Sequence, residues 1–407
     1  MADIVVNISR VTAGITRAGF GIPLILTNTA HTFETYTTLA EVEADFATTT
    51  TVYAMATALK SQEFEVPTIA IAGVSYTEEN TVGAETLTNT AGNTYSFANT
   101  NIEVNSIAGL SDGGGAIPDA DIDSIDYVAG TITFTGARTG SVTVTGYTSF
   151  NDPAAFTTLL NTLVSDGRDF YGILTEGTNY RLQKSIDTWV ATQTKLYALR
   201  TQLRPADSPV SFTTRTGIYY HTTSTEYPDA AVFGQCLPKD PGSLTWKNQT
   251  IVGITPEILT STTVTATALE TARYNAIIRS YGVIVTSNGF LAQTLFIDQQ
   301  RSQDYVKIRM EENIASLLIN NDKIPFDDTG IVQVVSQVEA TLNDAFDNGI
   351  IAADAGGQAQ FTVTSTPAAD IPQQDKTDRV LRTVSFSYIE AGAVEGAEIT
   401  GRIVASL

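Results

Sequence analysis

The chain has 407 residues, and its 44 acidic residues outnumber its 23 basic ones, which gives a formal net charge of −21 at pH 7. A chain of this length is expected to form two or three domains. Because an acidic surface repels phosphate groups, we expect no direct binding of nucleic acid and no binding to anionic membranes. No apolar run approaches the length of a membrane-spanning helix, so we also expect no membrane insertion.

The cysteine content and the N-terminus indicate where the protein is made. Cys236 is the single cysteine, which excludes an intrachain disulfide framework and is typical of a reducing cytosol. The N-terminus has neither a basic region nor a long apolar stretch, so we expect no signal peptide. We therefore expect a chain that is soluble and intracellular when made.

Residues 1–22 are predicted to form an N-terminal arm. Ile4, Val6 and Ile8 recur at every second position, as in a short strand. The glycines that follow precede the apolar run after Pro23, where the first domain is predicted to begin. A lone strand is unstable unless another strand pairs with it.

Residues 23–73 and 150–244 are predicted to form one discontinuous α/β domain. Apolar spacing in the first segment predicts two helices followed by a strand. The second segment alternates between helices and strands, which favours a partly parallel layered sheet. The predicted helices are 155–165, 179–192 and 229–234, and the predicted strands are 170–174, 195–201 and 217–221.

Residues 74–149 differ in composition from their surroundings and are predicted to form an inserted, β-sandwich-like domain. The segment is rich in Thr, Gly, Asn and Asp, and short Thr- and Val-rich runs alternate in 131–135 and 141–145. A disordered loop is the alternative, which the β-branched alternation disfavours.

Residues 245–393 are predicted to form a C-terminal core domain with a mixed sheet and packed helices. Asn288-Gly289 predicts a hairpin turn between two strands. A helix follows with an apolar stripe from Tyr305 to Leu318, and a second helix carries apolar residues from Ile331 to Phe346 and ends at Asn348-Gly349. We expect Val335, Val338 and Leu342 to be buried against the hairpin. Residues 394–407 are predicted to form a C-terminal arm strand.

The residues available for catalysis are few. The chain has two histidines, His31 and His221, and neither lies in a recognisable motif. A nucleophilic pair of Cys236 and His221 is conceivable, but a buried thiol and an ordinary strand histidine are the preferred interpretation. There is no Walker lysine loop, and we expect no cofactor and no catalytic residue.

Two groups of charged residues remain. Asp119, Asp121, Asp123 and Asp126 begin like a calcium loop, but the glycine and glutamate that such a loop requires are missing, so a solvated acidic loop is preferred and the first three are only a weak metal candidate. A second group lies at the start of a predicted helix and is interpreted either as an inter-subunit or hinge ion pair or as helix capping with a solvated face, and its position at a helix start favours the latter. Its members are Asp298, Arg301 and Asp304.

The C-terminal part of the chain resembles the core domain of contractile tail sheath proteins of tailed phages. The resemblance rests on the order and spacing of three segments, and on the Asp45-Phe46 pair between two helices near the N-terminus. The segments are FIDQQRSQDY (296–305), KIPFDDTG (323–330) and RTVSFSYIEAGAVEGAEITGR (382–402).

The resemblance implies a mechanical subunit. It implies that terminal arms of neighbouring subunits complete a sheet on the core domain and keep subunits linked while the lattice contracts. The residues that we assign to this strand exchange are Ile4, Val6, Ile8, Phe386, Tyr388, Ile399 and Ile403. It also implies a helical homopolymer around a tail tube protein, with baseplate and tail terminator proteins as further partners, located in the virion tail and assembled in the host cytoplasm.

Contraction in such a sheath is relaxation of a metastable lattice without nucleotide hydrolysis, and it drives the tube through the host envelope to deliver the genome. Three other interpretations stay open. An enzyme would need a clustered catalytic site, a baseplate or decoration protein would not need the paired core helices, and a non-viral contractile injection system uses a similar subunit.

Overall fold

A computed structural model of the chain describes residues 19–260 and 264–395. The described residues divide into two compact units. The sheet unit contains residues 20–239 and 246–297, apart from 261–263. The C-terminal unit contains residues 240–245 and 298–395. Within these ranges, no helix combines the length and hydropathy that crossing a lipid bilayer requires.

The sheet unit begins with strands and helices whose ends the sequence marks clearly. They are β1 (Pro23–Thr27), β2 (His31–Tyr36), α1 (Leu39–Asp45), α2 (Thr51–Lys60) and β3 (Ile69–Gly73). α1 begins at a capping box, in which the Thr38 hydroxyl accepts from the backbone N–H of Glu41 and the Glu41 carboxylate accepts from the backbone N–H of Thr38. The Thr50 hydroxyl accepts from the first turn of α2 in the same way.

Short antiparallel strands occupy the segment between residues 79 and 150. They are β4 (Glu79–Val82), β5 (Glu85–Thr86), β6 (Thr88–Ala91), β7 (Thr94–Ser96), β8 (Ser111–Asp112), β9 (Gly115–Ala116), β10 (Ile122–Asp126), β11 (Thr131–Phe134), β12 (Val142–Val144) and β13 (Tyr147–Phe150). Alternate residues of β11 and β12 are buried in one apolar cluster, among them Ile132, Phe134, Val142 and Val144. That residues 74–149 are a separate inserted domain stays a prediction.

The chain then returns to alternating helices and strands. The elements are α3 (Ala154–Ser165), β14 (Gly172–Thr175), α4 (Tyr180–Val190), β15 (Leu196–Thr201), β16 (Thr216–Tyr220), α5 (Pro228–Cys236), α6 (Ala266–Thr271), β17 (Tyr274–Asn275), β18 (Ile277–Ser280) and β19 (Val283–Thr286). A seven-stranded sheet has the order β17-β16-β15-β14-β1-β3-β2 and is parallel except for the edge strand β2. The mixed α/β, multidomain fold class is therefore confirmed.

Both faces of this sheet are covered, as parallel sheets require. Ile173 of β14 lies in an apolar cluster with Phe156 of α3 and Ile186 of α4. Its neighbour Gly172 lies against α5, and a Cβ at Gly172 would lie 2.6 Å from the ring of Phe233. The glycine lets α5 approach the sheet closely.

The predicted hairpin turn at Asn288-Gly289 is wrong. The hairpin joins β18 to β19, and its turn residues are Tyr281 and Gly282, with φ of 47° and 88°. This conformation suits a two-residue hairpin turn. Gly289 instead allows the backbone to pack closely against Trp246, because a Cβ at position 289 would lie 2.7 Å from Cβ of Trp246.

The predicted domain boundary at residue 245 also differs from the structure. Residues 246–297 belong to the sheet unit, because β17 pairs with β16 and extends the seven-stranded sheet. The strand has only two residues, so no alternation in the sequence marks it.

The C-terminal unit consists of two long helices and a hairpin. Its elements are α7 (Ile297–Ile319, of which Ile297 belongs to the sheet unit), α8 (Asp328–Asp347), β20 (Phe361–Ser365), α9 (Gln373–Asp378) and β21 (Val384–Tyr388). α8 ends as predicted, with Gly349 in the left-handed region at φ 77°.

The apolar face of α8 packs within the C-terminal unit. Val338 and Leu342 are buried in a cluster with Val306 of α7 and side chains of β20 and β21, whereas Val335 is only partly buried. The hairpin that the sequence analysis named as their partner lies in the sheet unit, whereas the cluster that contains Val338 and Leu342 lies in the C-terminal unit. β20, which contributes Phe361 and Val363 to this cluster, was not recognised in the sequence.

Candidate assembly surface of the C-terminal unit

β20 and β21 form a two-stranded antiparallel sheet. Phe361 lies opposite Tyr388, and the register continues to Ser365 opposite Val384. Among the residues that the structure describes, no further strand pairs with β20 or β21. Outer strand edges present N–H and C=O groups that can pair with another strand. The hairpin is therefore a candidate acceptor of an added strand.

One face of β21 carries apolar side chains. Val384, Phe386 and Tyr388 alternate with two serines, and the rings of Phe386 and Tyr388 are nearly parallel with centroids 6.4 Å apart. Val384 and Tyr388 pack against the cluster of the C-terminal unit, but Phe386 is 41% exposed. Phe386 is thus a large apolar side chain that its own unit leaves half uncovered.

Two open grooves, of about 580 and 510 Å³, share the residues around Phe386. The residues lining both grooves are Met310, Ile314, Leu318 and Phe386, and we call them the apolar surface. The sequence analysis placed Leu318 on a helix stripe with Tyr305 and Ile314, but Leu318 is 56% exposed. Exposed apolar patches are often interaction sites, which makes the apolar surface a candidate for one.

The predicted strand-exchange residues fall into two groups. Phe386 and Tyr388 lie on β21 and line one of the grooves. Ile4, Val6, Ile8, Ile399 and Ile403 lie outside the residues that the structure describes.

Asp298 lies in the first turn of α7 and lines a recess with Thr245 and Glu390. Burial, together with the negative charges of Glu395 and Glu390, raises the pKa of Asp298 from 3.8 to about 6. Glu395 accepts a hydrogen bond of 2.7 Å from the Thr245 hydroxyl. The carboxylates of Asp298, Glu390 and Glu395 therefore lie close together just after the end of β21.

Arg301 and Asp304 lie further along α7 and are more enclosed. Their exposed fractions are 1% and 2%, and Asp304 accepts a hydrogen bond of 3.2 Å from the side chain of Gln300. Burial this complete argues against a solvated helix face for Arg301 and Asp304. The role of Asp298, Arg301 and Asp304 stays a prediction.

The weak metal candidate is dispersed in the structure. The Asp121 carboxylate pairs with Arg138 at 3.2 Å, and Asp126 accepts from the backbone N–H of Ala129, while Asp119 and Asp123 are exposed. Within the described ranges, the metal-ligating groups that do come together are His31, Glu34 and Asp45. Pattern reasoning missed this group because its members share no motif.

His221 and Cys236 are both buried. His221 Nδ1 accepts from the backbone N–H of Thr223 at 3.0 Å, and its Nε2 lies 2.9 Å from the carbonyl oxygen of Thr255. These contacts fix the ring by its own neighbours, as expected for a structural histidine.

Residues 297–403 match the family described as E217 tail sheath protein gp31-like, C-terminal domain. No curated protein matches the sequence significantly.

Solved structures match over the whole length. The helical sheath of the anti-feeding prophage in the contracted state has a TM-score of 0.60 at 9% identity, covering 100% of this chain and 99% of that chain. The sheath of an extracellular contractile injection system, PVC, in the contracted state has a TM-score of 0.61 at 7% identity, covering 100% and 98%. The sheath tail protein DSY3957 from Desulfitobacterium hafniense has a TM-score of 0.52 at 12% identity, covering 95% and 99%.

The resemblance to contractile tail sheath proteins is thereby confirmed. The C-terminal residues match a tail sheath family, and the chain as a whole has the fold of sheath proteins.

Proposed function

We propose that this chain is the structural, non-enzymatic subunit of a contractile sheath. In this proposal, copies of the chain polymerise into a helical tube around an inner tube. Contraction of the sheath then drives the inner tube through a host envelope without nucleotide hydrolysis. Support comes from the match of residues 297–403 to a tail sheath family and from the sheath fold of the whole chain.

The main structural support for the proposal that the chain assembles is the two-stranded β20–β21 sheet beside the apolar surface. Addition of a strand to a sheet edge supplies main-chain hydrogen bonds, and alternate side chains supply selectivity. We assign the added strands to the termini of neighbouring subunits, which carry Ile4, Val6 and Ile8 at one end and Ile399 and Ile403 at the other.

Strand donation of this kind gives a head-to-tail contact. Such contacts repeat without closing unless the rotation between subunits forms a ring, so they build helical tubes. A lattice of rigid subunits joined by terminal strands can pass between two packings while the joints persist. Contraction is then relaxation from a metastable packing.

The partners follow from this role. We propose a phage tail sheath that binds copies of itself, a tail tube protein, and baseplate and tail terminator proteins, and that is assembled in the host cytoplasm as part of a virion. The second candidate is the sheath of a non-viral contractile injection system. It is supported by the likeness to the PVC sheath of an extracellular contractile injection system.

Negative-stain imaging of the purified chain tests the assembly role. We expect hollow tubes or stacked rings, and a chain that stays monomeric at high concentration would contradict the proposal.

A matched pair of variants tests the surface. Phe386 and Val164 are both 41% exposed, but Val164 lies on α3 of the sheet unit. Phe386→Asp is expected to prevent tube formation, because it places a charge where an apolar contact forms. Val164→Asp is expected to leave tubes intact. If Phe386→Asp forms tubes as Val164→Asp does, the apolar surface is not part of the assembly contact.

A further inference from the structure

The edge strand β2 contains an irregularity that brings together side chains that a regular strand would separate. Glu34, Thr35 and Tyr36 pair in register with Ile71, Ala70 and Ile69, but His31 pairs with Gly73, so β2 holds one extra residue between His31 and Glu34. In a regular strand, positions 31 and 34 point to opposite faces. The bulge places them on the same face, and such bulges commonly re-aim side chains at sites.

The end of α1 brings a second carboxylate to the same place. Asp45, the last residue of α1, accepts a hydrogen bond of 2.7 Å from the Tyr36 hydroxyl. The same hydroxyl lies 2.9 Å from Nε2 of His31 and 3.5 Å from a carboxylate oxygen of Glu34. The three groups therefore surround one point in space, which the Tyr36 oxygen marks.

The imidazole is oriented by a further contact. The ring of His31 meets the ring of Phe46 edge-on, with centroids 4.9 Å apart. His31 is partly exposed, and Glu34 and Asp45 are exposed, so the group can be reached from solvent. An oriented, accessible histidine beside two carboxylates is a donor set for a metal ion.

We propose that His31, Glu34 and Asp45 bind one divalent transition-metal ion, of the class of Zn²⁺, Co²⁺ or Ni²⁺. One ligand atom from each residue lies within 4.8 Å of the other two. Zinc bonds to nitrogen and oxygen are about 2.0–2.2 Å, so ligands on one ion lie at most about 4.4 Å apart. The Tyr36 hydroxyl contacts all three groups, so binding an ion requires the exposed Glu34 and Asp45 side chains to rotate away from it and toward the ion.

The donor set decides the class of ion. Imidazole nitrogen suits zinc, nickel and cobalt, whereas calcium and magnesium take oxygen ligands alone. One histidine and two carboxylates supply three protein ligands, which leaves a position for water or for a group from another molecule. The bound ion would tie the edge strand β2 to the end of α1.

The chain has few histidines and cysteines that could bind the ion at another place. With two histidines and one cysteine in 407 residues, and with His221 and Cys236 buried, no other accessible imidazole or thiol among the described residues competes for such an ion, and the His31→Gln variant separates its site from weak binding by the 44 acidic residues. The full chain is titrated with Co²⁺, and binding is followed by equilibrium dialysis and by visible absorption of the bound ion. We expect one Co²⁺ per chain, displaced by Zn²⁺.

His31→Gln and Asp45→Asn are each expected to weaken binding by about 100-fold or more, because loss of even an outer partner of a metal ligand costs about 10–100-fold. Glu43→Gln is the matched control, since Glu43 is exposed on the same helix, two residues from Asp45. It is expected to bind Co²⁺ like the unchanged chain. Circular dichroism checks that each variant is folded, and Glu34→Gln replaces any variant that is not.

Two results would overturn the proposal. One is the absence of stoichiometric Co²⁺ binding by the unchanged chain, and the other is retention of binding in His31→Gln. A rise in melting temperature with Zn²⁺ that His31→Gln abolishes would support it independently, because an ion that binds only the folded state stabilises that state.

Discussion

The sheets of the two compact units differ in how far they are buried. In the sheet unit, six strands of the seven-stranded sheet are buried along their whole length, and helices cover both faces. In the C-terminal unit, the β20–β21 hairpin is largely exposed. Each of the buried strands of the sheet unit pairs with strands of its own unit. In the C-terminal unit, side chains of the apolar surface are exposed, and we propose that they and the strand edges contact another molecule.

We infer from this difference that the sheet unit serves mainly stability and the C-terminal unit mainly assembly. Stability of the sheet unit rests on buried apolar area, which is non-directional and insensitive to neighbours. We propose that the C-terminal unit keeps its directional main-chain groups for assembly, so that subunits can rotate in a lattice without unfolding. The predictions below test this separation.

Removal of a terminal segment is expected to have the largest effect. Deletion of residues 1–18 or 396–407 should leave a folded, soluble chain that forms no tubes, because the strands assigned to β20–β21 are gone. Sedimentation and negative-stain imaging measure assembly, and circular dichroism measures folding. Tubes formed by both truncated chains would show that strand exchange is not the linkage.

The assembly surface needs an intact core beneath it. Leu342 of α8 is fully buried, and Leu342→Ala is expected to lower the free energy of unfolding by about 2–5 kcal/mol. The control is Val332→Ala on the exposed side of the same helix, which should change the free energy by no more than about 0.5 kcal/mol. Chemical denaturation measures both. A tolerated Leu342→Ala would mean that α8 does not support the hairpin.

The segment between residues 79 and 148 should matter for stability and not for assembly. Glu79 lies opposite Phe150, so a short Gly-Ser linker can replace the segment. The Tyr180 hydroxyl would lose its acceptors, the carbonyl oxygens of Ile102 and Tyr127, at 2.9 and 3.1 Å. We expect a loss of about 1–3 kcal/mol with tubes retained. Failure to fold would show that the segment belongs to the core and is not an insertion.

Substitution of Asp298 is expected to have the smallest effect on the free energy of unfolding, and this effect should depend on pH. Its pKa is raised to about 6 by burial and by nearby carboxylates, so the folded protein holds this proton more tightly than the unfolded chain. The corresponding stability is present below about pH 4 and is lost as the pH rises through about 6. Asp298→Asn should therefore raise the free energy of unfolding by about 1–2 kcal/mol at pH 8 and leave it unchanged at pH 4.

The exposed Asp347→Asn serves as its control and should show no such difference between the two pH values. Denaturation of the unassembled chain at both pH values measures the effect. An equal effect of Asp298→Asn at pH 4 and pH 8 would exclude ionisation of Asp298 as the cause.

The sequence predicted elements wherever periodicity or caps were strong. The apolar spacing of α8 and its glycine after the helix end gave both the element and its C-terminal end. The helix–strand alternation from residue 152 gave the elements of the parallel sheet. The hairpin turn was misplaced because Tyr281 adopts the left-handed conformation that sequence rules reserve for Asn and Gly. The domain boundary was misplaced because β17 is too short to show a period.

The candidate sites were predicted less well, because they depend on contacts between distant segments. Phe386 and Tyr388 stood out as a strand-like run, but exposure of Leu318 depends on where β21 lies along α7. The group of His31, Glu34 and Asp45 depends on a bulge, which shifts strand alternation by one residue and leaves no mark in composition.

Cryo-electron microscopy of the assembled tube tests the central claim most directly. In the map, the β20–β21 sheet of each subunit is predicted to contain added strands that trace to the termini of neighbouring subunits, with side chains against Phe386. A tube in which β20 and β21 remain a two-stranded sheet, with subunits held by other surfaces, would contradict this account.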